Sequence, residues 1–466
     1  MSVFSDDPQT PGRPFGTDYA SQQGAGDVDP RVQLQVRRQV DDLFQRHVDP
    51  SVRRRMNGTI RGRWSTRRGV ELDALETSNG QETLVLGGEL LVTARSWEDP
   101  AIRGYLARRR LERVEVGCPD LEDRLVRLVT TGTVRPGYLE DAVDELRRRG
   151  AAASLTHVTP LAGILKPHGT SVPTIGTFEE YGTHPTGDGS GAKVAVVDTG
   201  IDGTIRGDGW LTGIERRSDV PTTHADENNV DPLDNTPDDG FLDFSAGHGT
   251  FVSGVVAQVA PTADIEVYRA LSTAGTGSEI EVACALIRAV RDGADVVNLS
   301  LGTQTQYDQP SLALAAALDV VREIEIARKR EVLVVAAAGN FGDTTPVWPA
   351  AFRRVVSVGS LTADLRPSVF SSRGWWVDCS AIGEGILSPF VAGVQSPDFA
   401  PDPETFPEDA FARWSGTSFA APQVAGAIAR LMHERGLGAR EAYVQLLASG
   451  NPLPDFGQTF TILPGV

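Results

Sequence analysis

Gly416-Thr417-Ser418 sets two hydroxyl side chains directly after a glycine and directly before the Ala- and Val-rich run that starts at Phe419. Glycine lets a backbone turn tightly, and the apolar run reads as a buried helix. A serine oxygen and the free N–H groups of a helix start are thereby brought to one spot. That combination suits acyl transfer, because a nucleophile needs donors beside it for the negative charge that develops on the attacked carbonyl oxygen. Taken singly, the same residues read equally well as an ordinary N-cap. Nucleophilic catalysis requires in addition a base, an acid to orient the base, and a second oxyanion donor.

All three occur earlier in the chain. The run Ala192 to Val197 ends in Asp198-Thr199-Gly200, the pattern of a buried parallel strand that delivers a carboxylate at its carboxyl end. Gly247-His248-Gly249-Thr250 opens the apolar stretch Phe251 to Val259, which puts His248 at a helix start. Val332 to Ala338 reads as a second buried strand, ending in Gly339-Asn340. Ser418 is then the nucleophile and His248 the base, since a histidine, whose unperturbed pKa is about 6.5, can take and return a proton near neutral pH. Asp198 holds the imidazole tautomer, and Asn340 donates its side-chain amide to the oxyanion together with the N–H of Ser418. Each residue also has a structural reading, as a turn cap, a helix cap or a turn residue.

The order Asp198, His248, Ser418 is that of subtilisin, and with these motifs the sequence resembles the subtilisin-like serine proteases, the subtilases or S8 peptidases. The resemblance rests on Val197-Asp198-Thr199-Gly200-Ile201, Gly247-His248-Gly249-Thr250-Phe251-Val252-Ser253-Gly254, Ala337-Ala338-Gly339-Asn340 and Gly416-Thr417-Ser418-Phe419-Ala420-Ala421-Pro422. It spans about residues 190 to 435. It implies a serine endopeptidase working through an acyl-enzyme. It also implies that a substrate peptide lies as an added strand between Leu299-Ser300-Leu301-Gly302 and the segment Ser272 to Gly277, which contains Gly275 and Gly277; Ala338 and Gly339 belong to the same site. Leu299 and Leu301 read equally as core residues. Val347 aligns with the base of the first pocket, implying a small or modest P1 side chain, and Trp348-Pro349 aligns with a cis peptide. Alternatives are a transpeptidase or macrocyclase using the same acyl-enzyme, and a catalytically silent protease-like binding module.

The elements that must position these residues alternate. Strands are expected at Val194–Val197, Asp264–Arg269, Val296–Ser300, Val332–Ala336 and Val355–Ser360. Helices are expected at Gly249–Val259, Glu279–Asp292, Ser311–Lys329, Phe419–Arg435 and Ala439–Leu447. This is an α/β fold with a mostly parallel, doubly wound sheet, the subtilisin-like class, over residues 192–466. Ahead of it, residues 1–28 read as a disordered leader and 29–86 as a helical and Arg-rich segment, the helix carrying Val32, Val36, Val40, Leu43 and Phe44 on one stripe. Residues 87–162 follow the order β-α-β-β-α-β of a ferredoxin-like α+β domain, from a strand over Gly88–Ala94 to one over Ala152–Val158. Its position resembles that of a subtilase propeptide, which implies a zymogen whose amino-terminal domain chaperones or inhibits it. Residues 163–191 read as a linker, with self-cleavage expected between Thr159 and Gly191.

Charge is uneven. The first 180 residues carry 25 Lys and Arg against 26 Asp and Glu, the remainder 19 against 36. An acidic catalytic part argues against nucleic acid and anionic membranes as partners, leaving peptide or protein substrates and the chain's own amino-terminal domain. Cys118, Cys284 and Cys379 are too few and scattered for a disulfide framework and read as buried small hydrophobes. The first thirty residues hold no signal-peptide core, and no apolar run of about eighteen residues occurs, so a cytoplasmic enzyme is expected. No cofactor is required. The acidic insert with Asp226, Glu227, Asp231, Asp234, Asp238, Asp239 and Asp243 reads as a solvated loop, with Ca²⁺ as the alternative that the family resemblance supplies.

Overall fold

The computed structural model describes residues 29–48, 58, 61–62, 71–132, 135, 137–160, 172–176, 189–217, 228–235, 238–398, 400 and 402–465. The expected leader, nearly all of the Arg-rich stretch and most of the expected linker lie outside the described residues. Helix α1 (Pro30–Val48) opens the described chain, with Pro30 at its first turn and Asp29 accepting from Arg31 N, a favourable start for a helix.

An antiparallel sheet follows. Strands β1 (Leu72–Glu76) and β2 (Glu82–Thr93) form a hairpin from Leu72↔Leu86 to Glu76↔Glu82. Its turn contains Asn79-Gly80, with Gly80 at φ 74°, a conformation that glycine adopts without strain. The segment to residue 86, expected as helical and Arg-rich, thus already contains a hairpin. The Gly87-Gly88 pair, which reads as a strand boundary, is an irregularity inside β2, where the register to β5 shifts between Val85 and Leu90. Helix α2 (Pro100–Ala107), strands β3 (Leu111–Val114) and β4 (Leu125–Thr130), helix α3 (Tyr138–Arg148) and strand β5 (Ala153–Pro160) complete the unit. Its strands lie in the order β5-β2-β4-β3, with β1 on the other part of β2. Leu90, Val92, Ile102, Leu106, Val126, Leu128, Val143, Leu146 and Leu155 fill its core.

Strand β6 (Thr174–Gly176) leads into the larger part of the chain. There β7 (Lys193–Asp198), α4 (His248–Val259), β8 (Asp264–Arg269), β9 (Thr276–Ser278), α5 (Glu279–Arg291), β10 (Val296–Leu299), α6 (Leu312–Arg328), β11 (Leu333–Ala337), β12 (Val355–Leu361) and β13 (Cys379–Ile382) follow in turn. The chain ends through β14 (Ile386–Pro389), β15 (Phe411–Trp414), α7 (Thr417–Arg435), α8 (Ala439–Ala448), β16 (Asn451–Leu453) and β17 (Gly457–Phe460). The main sheet runs β8-β7-β10-β11-β12-β13-β17-β16, parallel except for the last pair. Every residue of β10 to β13 is buried, as strands covered on both faces must be. Every expected strand and helix of this part is present within two residues of its expected ends. Strands β14 to β17, short or broken by polar and glycine residues, carry no clear periodic signal in the sequence. A small antiparallel sheet, β14-β15-β6, supports the approach to α7.

The two parts share structure. Strand β9 pairs antiparallel with β5 through Val158↔Ser278 and Thr159↔Gly277. Leu91, Val116, Leu121 and Leu125 belong to the same apolar cluster as the main sheet. Glu279, fully buried at the start of α5, accepts from His157 N at 2.8 Å, from Ser311 Oγ and from Ala313 N at 3.0 Å. Burial opposes its ionisation, but the hydrogen bonds and charge of His157 and the bond from Ser311 take its pKa below the usual range. Cys118 and Cys284, expected to be unpaired, form a disulfide across the interface, while Cys379 is free and buried. Their separation of 166 residues leaves no spacing from which the pairing could have been read.

Serine at Cys284 should lower the unfolding free energy by about 2–4 kcal/mol, as should a reductant added to the parent but not to the variant, measured by denaturant unfolding. A depressed carboxylate pKa contributes stability above its unfolded value and loses it as pH falls through the folded value. Acid should therefore weaken the Glu279 tie, an effect absent in Glu279→Gln, followed by hydrogen exchange at β5.

Candidate active site

Asp198 closes β7 and His248 opens α4, fifty positions apart, and both are fully buried. Their meeting depends on glycine: a Cβ at Gly249 would collide with the backbone oxygen of Gly200. His248 Nδ1 lies 2.7 Å from Asp198 Oδ1, which also accepts from Thr199 N. An ionised carboxylate can only accept, so the imidazole proton belongs on Nδ1 and Nε2 presents its lone pair. Among the described residues Nε2 has no hydrogen-bond partner. The ring sits against Trp414 and Phe419, both with centroids 5.4 Å away, and Phe251 packs on the same two residues. This aromatic wall was not foreseen, although three of its members flank the His and Ser motifs directly.

Ser418 lies in the first turn of α7. Its Oγ donates to Ser300 O at 3.2 Å, and Ser300 Oγ donates to Ser418 O at 2.7 Å. Asn340 is held by its acceptor end: Oδ1 accepts from Thr417 N at 2.9 Å and Thr417 Oγ1 at 2.8 Å, while Thr417 Oγ1 accepts from Gly339 N. Its Nδ2 is buried and has no hydrogen-bond partner among the described residues. Gly416 is beside it, since a Cβ there would lie 3.3 Å from Nδ2. Buried donors are nearly always satisfied. Here an amide donor whose oxygen is held by Thr417 is left open beside the first turn of α7.

Leu299 and Leu301 are wholly buried core side chains, which favours their structural reading, while Ser300 between them faces Ser418. Val347 is fully buried, and Cβ atoms added at Gly302 and Gly339 would lie 2.7 and 3.2 Å from its methyl groups. It therefore fills the space between those two segments. Ala338 is buried in the backbone ladder, bonded to Val358 O, and Trp348-Pro349 is cis. Gly275 turns at φ 79°. Gly277 accepts from Thr159 Oγ1 at 3.1 Å, so the strand edge expected to receive substrate is paired with the chain's own β5.

In the acidic insert, Asp226 and Glu227 lie outside the described residues. Asp231 is not a solvated loop residue: it is buried, and its Oδ2 accepts from Gly247 N at 3.0 Å and Thr199 Oγ1 at 2.9 Å. It thus ties the residue before His248 to the residue after Asp198. Burial raises its pKa. Asp234 and Asp243 accept from backbone N–H groups of the same loop. Among the described residues no group of three or more His, Cys, Asp or Glu could hold a metal ion, and no helix is long and apolar enough to cross a membrane.

Residues 189–449 match the profile of the Subtilase family. The chain is 32% identical over 271 residues to a thermophilic serine proteinase of Bacillus sp. (strain AK1), covering 56% of each chain. It is 32% identical over 285 residues to an intracellular serine protease of Paenibacillus polymyxa, covering 57% of this chain and 76% of that one. Fervidolysin from Fervidobacterium pennivorans shares the fold with a TM-score of 0.55 at 21% identity, over 85% of this chain and 61% of that chain.

Asp231→Ala leaves the Gly247 N–H and the Thr199 hydroxyl without their acceptor and should cost about 1–3 kcal/mol of stability, read by denaturant unfolding. A carboxyl with a raised folded pKa binds its proton more tightly when folded, so stability falls as pH rises from the unfolded to the folded value. The parent should lose stability relative to Asp231→Asn across that window.

Proposed function

The chain belongs to the subtilase family of serine endopeptidases, and from that premise we propose that Asp198, His248 and Ser418 form its catalytic triad, with Asn340 and Ser418 N as oxyanion donors. The observation that carries this reading is the open Nδ2 of Asn340, held beside the nucleophile turn while its oxygen is occupied by Thr417. In the reaction Ser418 Oγ leaves Ser300 O, passes its proton to His248 Nε2 and attacks the scissile carbonyl carbon. The oxyanion forms between Asn340 Nδ2 and Ser418 N. Asp198 stabilises the imidazolium through Nδ1, and His248 then returns the proton to the departing amine. Water, activated by the same imidazole, hydrolyses the acyl-enzyme.

Leu299–Gly302 and Ser272–Gly277 are read as the strands that flank the substrate, with main-chain bonds supplying affinity and side-chain pockets selectivity. Val347, filling the space between Gly302 and Gly339, supports a small or modest P1 residue. Residues 87–162 are read as a propeptide-like ferredoxin-type domain, joined by the linker 163–191 to the catalytic domain 192–466. One observation supports inhibition by this domain: strand β5 already occupies the edge of β9. The Cys118–Cys284 disulfide would keep a cleaved domain attached until a dithiol reduces it, and it runs against the cytoplasmic expectation, since such bonds are rare in reducing compartments. No metal is needed for any step; calcium stays an open addition, tested by stability with and without a chelator.

Intact mass, followed in time with and without reductant, should show cleavage between Thr159 and Gly191 in the parent and none in Ser418→Ala. A parent that is neither cleaved nor labelled by a serine-reactive phosphonate overturns the reading. Asn340→Ala should lower kcat by about 10²–10³ with little change in KM, a magnitude known from subtilisin itself. Val347→Gly should shift peptide profiles towards larger P1 residues.

A further inference from the structure

The turn that carries Ser418 is anchored residue by residue. Gly416 N donates to Gly383 O at 2.8 Å, Thr417 is bonded to Asn340, and Ser418 exchanges hydrogen bonds with Ser300. All these partners lie inside the catalytic part. Ser415 does not follow that pattern. Its Oγ accepts from Gly385 N at 3.0 Å and donates at 2.8 Å to Oε1 of Gln39, on α1, 376 positions earlier.

Gln39 is fully buried, on the stripe formed by Val36 and Leu43. Its Nε2 donates to Val172 O at 2.9 Å and to Arg413 O at 3.0 Å. One amide therefore bonds the approach to β6, strand β15 and the turn leading to the nucleophile. A buried polar side chain is costly unless hydrogen-bonded, and here both ends of the amide are engaged. A helix needed only for packing would place an apolar residue at this centre. Strand β15 also carries Trp414, which packs on the His248 ring, so the segment held by Gln39 touches the base and leads directly into the nucleophile turn.

We propose that Gln39 is a positioning residue for the nucleophile turn, which makes helix α1 a working part of the catalytic unit and not of a detachable amino-terminal region. The proposal rests on the reading of Ser418 as nucleophile. It also separates α1 from the sheet unit that follows it: after the linker is cut, α1 remains on β15.

The test uses the full-length chain with Gln39→Met, which keeps length and apolar packing but makes none of the three bonds, beside Ser415→Ala. Both should slow phosphonate labelling of Ser418 and lower kcat by about tenfold, the effect of roughly one hydrogen bond's free energy on a rate, with KM changed far less. The double variant should lose little more than either single one, as coupled partners do. Parental labelling and kcat in Gln39→Met and Ser415→Ala, even with a lower melting temperature, would reduce Gln39 to a structural residue and overturn the proposal. If Gln39→Met does not fold, Ser415→Ala alone carries the decision, since it removes only a hydroxyl. Failure of the parent itself to label is a separate result: it overturns the nucleophile assignment, and the proposal with it.

Discussion

Asp198 and His248 meet in a 2.7 Å hydrogen bond between a strand end and a helix start, inside a core that admits no solvent to either side chain. A buried carboxylate and imidazole are tolerated only with close partners, and the surrounding structure supplies them. Thr199 N bonds Asp198, and Gly249 lets α4 approach the Asp198 turn. Asp231 ties the two flanking backbones together. Trp414 and Phe419 pack on the ring, and Phe251 backs both of them. The parallel sheet exists, in this sense, to bring β7, β10 and β11 to one edge, where Asp198, Ser300 and Asn340 stand at successive strand ends.

A second layer of order is imposed on Ser418, the proposed nucleophile. The four residues from Ser415 to Ser418 are bonded to Gln39, the Gly383–Gly385 turn, Asn340 and Ser300, so a shift in any of those segments reaches Oγ. Precision of this kind matters because reacting groups lose rate steeply when misplaced. The hydroxyl of Ser418 rests on Ser300 O while Nε2 of His248 stays open. Catalytic hydrogen bonds are often long or unmade before substrate arrives.

Beside the shared apolar cluster, the amino-terminal part is tied to the rest by polar and covalent links of different sensitivities. The β5–β9 ladder offers main-chain bonds, the Glu279 cluster offers charge-assisted bonds that acid weakens, and Cys118–Cys284 offers a covalent link that only thiol chemistry opens. Helix α1 is held by a fourth, the amide of Gln39. The pieces preceding the linker are therefore not one unit in physical terms, although they are contiguous in sequence.

Local pattern was enough for the elements around the site. Short apolar runs ending in Asp198 and Asn340, and glycines before His248 and Ser418, each declare strand end or helix start within a few residues, because buried parallel strands and helix starts have composition rules of their own. The hairpin at Asn79-Gly80 was legible too, but the arginines near it hid the signal. Three features depended on the tertiary structure alone: the Cys118–Cys284 bond, the reach of Gln39 to Ser415, and the burial of Asp231 in what reads as a solvated acidic loop. Each joins residues whose own neighbourhoods are unremarkable, and a side chain's partner across hundreds of positions is set by how whole elements pack, which no window of sequence contains.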